Sequence, residues 1–542
     1  MPGSPAALVR WPFASDLEHP LHRLAARWIF LRALGLIFFS AFYSLLRQVP
    51  GLIGPDGLLP AQGYLEAVRR AIPGVSRFWR VPAVFWLRSD SYALEAVVWI
   101  GLIASLLLIL NFWPRLTIFI CLVAYVSFIS TLQAFSSYQS DGMLLSAGFI
   151  SLFFTPSGIW PGWGEGRPPS RASWFLLLTV WFTIYFESGI AKIASGDPEW
   201  RHLTAMDEYY QNGPLPTWIG WYAQHLPHWF HVGTAAFTLA AELVLIWMAV
   251  LPRMFRIVLF WLLTPLQVGI ILTSNYCFLN YLVLVLGILL LDDRHLALFL
   301  PRRLRRPEML DGAGAVPTLA AKTSRIARNP WESIRNAMSP LGFWAGAFFQ
   351  AWVFYAIAAQ LLWMLLPQAP LPTSPVIGLE PFRIANQYGL FAVMTRGRYE
   401  IEFQGSRDGK TWTPYPFRYK PQDPRVAPGI YAPYQPRFDW NLWFASLEGW
   451  QQNRFVIFTE ERLLTGSPAV LDLFADNPFA NAPPTQVRAV VWQYWFSDWA
   501  EKKQGFWWRR ELIGLYAPSL EREPDGKFMI SQYPEPGQKI RE

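Results

Sequence analysis

Residues Trp174–Ala194 read WFLLLTVWFTIYFESGIAKIA, and this stretch decides the fold. It is long enough to cross a bilayer as an α-helix, which takes roughly 20 apolar residues. Two charges interrupt its second half. A charge at membrane depth costs at least a few kcal/mol, so Glu187 and Lys192 must pair or face a cavity. They are five residues apart, hence about 140° apart around one helix and on different faces of it. The partner of Lys192 is therefore sought on another helix, and Glu242, in the middle of a later apolar stretch, is the expected one. Directly after the run the chain becomes polar. Ser195–Pro216, SGDPEWRHLTAMDEYYQNGPLP, brings Asp197, Glu199, Arg201, His202, Asp207 and Glu208 close to the membrane face.

Eight further stretches read as membrane helices: Leu24–Leu46, Tyr92–Phe112, Leu116–Ala134, Met143–Phe154, Val232–Leu251, Phe255–Thr273, Tyr276–Leu291 and Gly342–Leu366. The composition agrees. Of 542 residues, 53% are hydrophobic and 15% charged, and mean hydropathy is +0.21. Soluble domains carry about a quarter charged residues. Disordered chains, coiled coils and nucleic-acid-binding tails are thereby excluded, and the figures argue against an ordinary soluble enzyme. The 29 Trp suit membrane interfaces, because an indole has an apolar body and one polar N–H. Two cysteines, Cys121 and Cys277, lie in apolar runs and define no disulfide framework.

Lys and Arg set orientation. The densest basic cluster is Arg294, Arg302, Arg303, Arg305 and Arg306, which belongs in the cytoplasm. Nine spans then put Arg115, Arg167, Arg171, Arg253 and Arg256 in the cytoplasm as well. They leave Ser136–Asp141 and Ser274–Asn275, without Lys or Arg, outside. Arg47–Arg88 breaks the pattern, because it falls outside yet holds six arginines. It is long enough to fold, and long loops obey the rule weakly.

Beyond the membrane part (residues 1–367) a Pro-rich linker (368–385) leads to a β-rich extracytoplasmic domain (386–542). Tyr399, Ile401 and Phe403 alternate with Glu400, Glu402 and Gln404, the period of a half-buried strand. Asp408-Gly409 follows as a hairpin turn. Val487–Phe496 and Arg454–Phe458 are further strand candidates, and Tyr431–Phe444 reads as a packed irregular loop. The expected architecture is a multi-pass α-helical membrane bundle followed by an all-β, sandwich-like extramembrane domain.

Other polar groups at membrane depth are Arg27, Arg32 and Asp141. His225, His228 and His231 recur every third residue, but Pro227 interrupts a helix there and no Cys is nearby, so they read as interfacial histidines and not as a metal site. No phosphate loop, nucleophile elbow or zinc-protease motif is present. Neither a metal nor a cofactor is expected, nor a nucleic-acid partner.

Several blocks carry a resemblance. They are ESGIAKIASGDPEWRHLTAMDEYY followed by GPLPTWIGWYAQHLP, then YQSDGMLLSAGF (Tyr138–Phe149), NYCFLNYLVLVLGILLLDD (Asn275–Asp293) and NQYGLFAVMTRGRYEIEFQGSRDGKTW (Asn386–Trp412), with VRAVVWQYWF and FWWRRELIGLYAP later. In collinear order over nearly the whole chain they resemble the lipase maturation factor family. Ser146 departs, standing where the family is expected to carry an acidic residue. The resemblance implies a multi-pass protein of the endoplasmic reticulum membrane, or of a bacterial inner membrane with a periplasmic C-terminal domain. It implies chaperone-like assistance to secreted lipases and no lipase activity. The loop residues Asp141, Gly189, Asp197, Trp200, Arg201, His202, Asp207, Tyr209 and Tyr210 become the expected functional motif. Tyr431, Tyr434, Trp440 and Trp443 become candidates for contact with the client protein. The bilayer and secreted proteins are the expected partners.

A shorter pattern, Tyr-Phe-x-x-Gly-x-x-Lys before a Trp-containing loop, is similar to vitamin K-dependent carboxylase-like membrane proteins. It implies an alternative: an enzyme with Lys192 as base, Glu242 or Glu187 as its partner, and a lipid-soluble cofactor.

Overall fold

The computed structural model describes residues 23–164, 169–301 and 330–535. Arg167, Arg302, Arg303, Arg305 and Arg306, which enter the orientation argument, lie outside the described residues.

Nine helices correspond to the nine apolar stretches: α1 (Leu24–Ile53), α2 (Ser91–Ile109), α3 (Pro114–Thr131), α4 (Gln139–Phe154), α5 (Arg171–Ala194), α6 (His228–Leu243), α7 (Arg253–Thr273), α8 (Leu279–Gly287) and α9 (Pro330–Leu365). A 3-10 segment, Leu245–Val250, prolongs α6. Seven of the nine are long and apolar enough to cross a membrane: α1, α2, α3, α5, extended α6, α7, and Gly342–Leu365 of α9. The exceptions are α4 and α8. Neighbours surround α4 on nearly every side, so it needs no broad apolar face for lipid and can carry Ser140 and Asp141 in its first turn.

Helix starts follow local chemistry. Asp90 caps α2 by accepting from the Ala93 N–H, and Ser170 caps α5 by accepting from Ser173. Pro114 opens α3, where its missing N–H is no loss. Packing follows chain order: α1 on α2, α2 on α3, α3 on α4, α4 on α5 and α5 on α6, with α8 closing against α1 and α5. Gly101 lets α1 and α2 approach closely, since a Cβ there would lie 2.4 Å from the Phe42 ring. The arginine-rich segment after α1 folds as two helices, Ala61–Ala71 and Ser76–Arg80.

The Pro-rich stretch is not a free spacer. Its helix Ser374–Leu379 lies back on α9, where Trp352 Nε1 donates to Pro375 O at 2.7 Å. The C-terminal domain is then built on one antiparallel sheet of six strands: β1 (Arg398–Ser406), β2 (Thr413–Pro414), β3 (Gln486–Phe496), β4 (Trp508–Leu515), β5 (Ser519–Arg522) and β6 (Phe528–Gln532). Its order is β2-β1-β3-β5-β6, with β4 also on β3. β1 and β3 pair along their length, from Arg398↔Tyr494 to Ser406↔Gln486. The turn at Asp408-Gly409 forms as expected. Asp408 Oδ1 accepts from the N–H groups of Thr411 and Lys410, which hold its carboxyl well below the usual range.

The second layer of the domain is helical, where a second sheet was expected. α10 (Arg437–Ser446) packs on β1 and α11 (Phe455–Thr465) on β3. Arg454–Phe458, expected as a strand, opens α11. Its five residues are too few to show a period, whereas Phe455, Val456, Thr459 and Leu463 are buried at helical spacing. Likewise, α10 occupies the end of the expected loop Tyr431–Phe444, with Phe438, Leu442 and Ala445 buried. Glu400, Glu402 and Gln404 are buried too, so β1 is covered on both faces.

Candidate functional site

Three charged residues of α5 and the loop after it, Glu187, Lys192 and Asp197, converge on one segment, residues 388–395. This segment has little regular structure, so its backbone groups need partners from elsewhere. Glu187 Oε2 accepts from the Tyr388 N–H at 2.7 Å, and Ser188 Oγ from Leu390 at 3.2 Å. Lys192 Nζ donates to Leu390 O at 2.8 Å, Trp200 Nε1 to Phe391 O at 2.9 Å and Ser195 Oγ to Ala392 O at 2.8 Å. Asp197 Oδ2 accepts from the Met394 N–H at 2.6 Å, and Asn212 Nδ2 donates to Thr395 O at 2.8 Å. The segment is a strap, tied along its length to the end of α5 and the following loop.

Lys192 and Glu242 meet as expected, with Nζ 2.9 Å from Oε1. Gly189 makes room for the pair, because a Cβ on it would lie 2.9 Å from that of Glu242. The ammonium thus has a carboxylate and a carbonyl as acceptors and lies 5.0 Å from the centre of the Trp200 ring. The pair lines a cavity of about 520 Å3 between α5, α6, α7 and α8.

A second junction is deeper. Arg437, first residue of α10, places Nη1 2.8 Å from Asp141 Oδ2 and Nη2 2.8 Å from Asp141 Oδ1. Tyr125 donates to the same carboxylate at 2.6 Å, and Arg437 Nη1 donates to Phe135 O at 2.7 Å. Arg437 and Asp141 are both 0% exposed. A bidentate pair of this kind is among the strongest and most geometrically demanding side-chain contacts. Arg398, also 0% exposed, reaches from β1 to Gln211 O at 3.0 Å and Pro214 O at 3.1 Å, and binds Glu400 beside it. Asn275, between α7 and α8, accepts from the N–H groups of Tyr431 and Ala432 at 2.6 and 3.0 Å. Ser467 donates to Asp56 O after α1 at 3.0 Å. The four loops that the nine-span alternation puts outside thus all touch the C-terminal domain.

The remaining expected residues are placed as follows. Asp207 binds His231 Nδ1 at 2.6 Å and His228 Nδ1 at 3.0 Å, while His225 stacks on Trp221 at 4.1 Å. Tyr209 and Tyr210 are buried, the former against Phe391 of the strap. Arg201 and His202 are exposed. Trp440 and Trp443 are buried at the junction. Tyr434 is half-buried, accepts from Gln48 Nε2 at 3.1 Å and packs on Tyr43 of α1. Tyr431 packs on Tyr419. These four hold the two parts together and present no broad exposed face. Arg437, Arg398 and Asn275 were not anticipated. Their partners are far away in the chain, and no local spacing marks them.

What the site defines is a polytopic membrane protein whose charged membrane residues hold an extramembrane α+β domain against one face. The model of the lipase maturation factor transmembrane domain matches residues 25–298, and that of the lipase maturation factor C-terminal domain matches residues 384–518. Lipase maturation factor 1 of Bos taurus is 30% identical over 531 residues, spanning 94% of this chain and 91% of that protein. Lipase maturation factor 2 of Gallus gallus is 30% identical over 580 residues, 91% of this chain and 81% of the relative. The human factor 2 is 30% identical over 601 residues, 94% and 84% respectively. The chain belongs to the lipase maturation factor family. No solved structure matches it.

Proposed function

We propose that this protein is a membrane-anchored maturation factor that helps secreted proteins, lipases in particular, reach their active assembled form. The observation that carries the reading is membership of the lipase maturation factor family across both the membrane part and the C-terminal domain. The C-terminal domain faces the secretory side, the endoplasmic reticulum lumen or a bacterial periplasm. In support, the four loops that meet this domain include the two turns free of Lys and Arg.

Client contact falls to β6. This strand ends the sheet, and all five of its residues are exposed, including Phe528, Met529 and Ile530. An apolar sheet edge with unpaired backbone groups takes up an extended segment of another chain by strand addition. The alternative, an enzyme with Lys192 as base, finds no support in a lysine whose ammonium is already held by Glu242 and the strap.

Deleting the gene in its host and measuring the specific activity of secreted lipases tests the function. Unchanged activity of every secreted hydrolase overturns it. Ile530→Lys combined with Met529→Lys tests the surface. Both sites are exposed, so stability is expected to change by no more than about 0.5 kcal/mol each. Lipase maturation is expected to fall toward the level of the deletion. Full maturation with the doubly charged strand rules out β6 as the contact.

A further inference from the structure

The cavity beside Lys192 has features that fixing the strap does not explain. It is walled by α5, α6, α7 and α8, by the loop between α5 and α6, and by Leu390 and Phe391 of the strap, and the wall is apolar apart from a few groups. Its volume of about 520 Å3 falls within the range of ligand sites, roughly 300–1,000 Å3. It is also open. Gly233 on α6 and Gly269 on α7 both line it, and a Cβ built on either meets nothing within 4 Å. The gap between α6 and α7 therefore leads from the cavity toward the surroundings of the bundle. Trp229, 72% exposed, also lines the cavity.

Such a space is not left empty in a bilayer. Wall atoms without neighbours lose dispersion contacts. Apolar cavities also hold water poorly, because water needs two to four polar partners. A hydrocarbon chain from the surrounding lipid supplies the missing contacts.

The polar groups of the wall decide the kind of lipid. Lys192 is matched by Glu242, so the pair adds no net charge, and a charged headgroup would go unpaired at a high desolvation cost. Elsewhere in the wall, Asn280 Nδ2 donates to Gln267 Oε1 at 2.7 Å, and Gln267 Nε2 donates to the Tyr185 hydroxyl at 2.9 Å. Tyr185, Gln267 and Asn280 are all more than nine-tenths buried and line the cavity. Among the described residues, the Asn280 carbonyl oxygen accepts no hydrogen bond and the Tyr185 hydroxyl proton finds no acceptor. Within this Tyr185–Gln267–Asn280 group, one acceptor and one donor are thus left over in the cavity wall. A neutral lipid with a hydroxyl and an ester carbonyl satisfies both. We propose that the cavity between α5, α6, α7 and α8 binds one neutral glyceride lipid of the diacylglycerol type. One chain lies against the apolar wall, and the head meets Asn280 and Tyr185.

The test uses the full-length protein in nanodiscs of phosphatidylcholine. Three photoactivatable probes are compared: a diacylglycerol, a phosphatidylcholine and a free fatty acid, each with the reactive group on its chain. The expected result is labelling by the diacylglycerol on α6 and α7 peptides that line the cavity, competed by unlabelled diacylglycerol. Gly233→Leu and Gly269→Leu fill open space, so the melting temperature should hold while the labelling is lost. Asn280→Leu removes the hydrogen bond to the lipid and also the one to Gln267 Oε1, and is expected to weaken competition about 2- to 10-fold. The proposal is overturned by labelling outside the cavity only, by equal labelling from phosphatidylcholine or fatty acid, or by full labelling in both leucine variants.

Discussion

Replacing Arg437 by methionine is expected to destabilise the protein by about 3–5 kcal/mol, because it strands the Asp141 carboxylate in a fully buried site. Asp141→Leu strands the guanidinium and should cost a comparable amount. The double variant, Asp141→Leu with Arg437→Met, leaves neither charge and is expected to recover much of the loss, since apolar residues of similar volume often replace a buried pair without penalty. The measurement is a double-mutant cycle on melting temperature in detergent. Three of the four corners also serve a second readout, protease cleavage between the membrane part and the C-terminal domain. Single variants that melt like the parent would refute a structural role for the pair. Tyr125 complicates the recovery slightly, because its hydroxyl donates to Asp141 and would need another acceptor.

Lys192→Met should have the other large effect. It removes the cation from Glu242, which is 9% exposed, and the donor from Leu390 O in the strap. A loss of about 3–5 kcal/mol is expected, with faster proteolysis at residues 386–397. Glu242→Gln added to Lys192→Met should return part of the stability, because the uncompensated charge is gone. This experiment also separates the structural reading from the enzymatic one. A catalytic lysine predicts a stable protein without activity. A structural lysine predicts that protein level and function fall together. A stable, abundant and inactive Lys192→Met would therefore revive the carboxylase-like alternative.

The chemistry of the membrane part was largely legible in the chain, and the reason is local. Apolar length betrays a span, and a charge within one demands a partner, so Lys192 could be assigned to Glu242 before any geometry was known. The opposite carboxylate was one of very few at comparable depth. Asp141 shows where this logic stops. Its need for a partner was evident, but Arg437 lies 296 residues away, outside the membrane segments. The same holds for Asp197 and Trp200, whose bonds to backbone groups of the strap join residues nearly 200 positions apart. The β-rich domain was harder. Alternation in Tyr399–Gln404 marked β1 correctly, yet the turn of polarity did not mark solvent. Glu400 binds Lys420 Nζ at 2.8 Å and Arg398, all of them buried, so its face is a packed ionic layer. Short runs such as Arg454–Phe458 fit strand and helix equally, and only packing on β3 decides between them.

The tie between Asp141 and Arg437 also sets a timetable for biosynthesis. At 5–20 residues per second, the 296 residues between them take roughly 15–60 s to synthesise. During that interval Asp141, Glu187 and Lys192 await partners, Arg437, the Tyr388 N–H and the Leu390 carbonyl, that have not yet left the ribosome. The nascent membrane part is then an incomplete bundle with exposed carboxylates, the kind of intermediate that quality-control machinery engages. A protein proposed to rescue slow-folding clients thus passes through a slow, client-like stage of its own, and chain termination anywhere before Arg437 leaves it there.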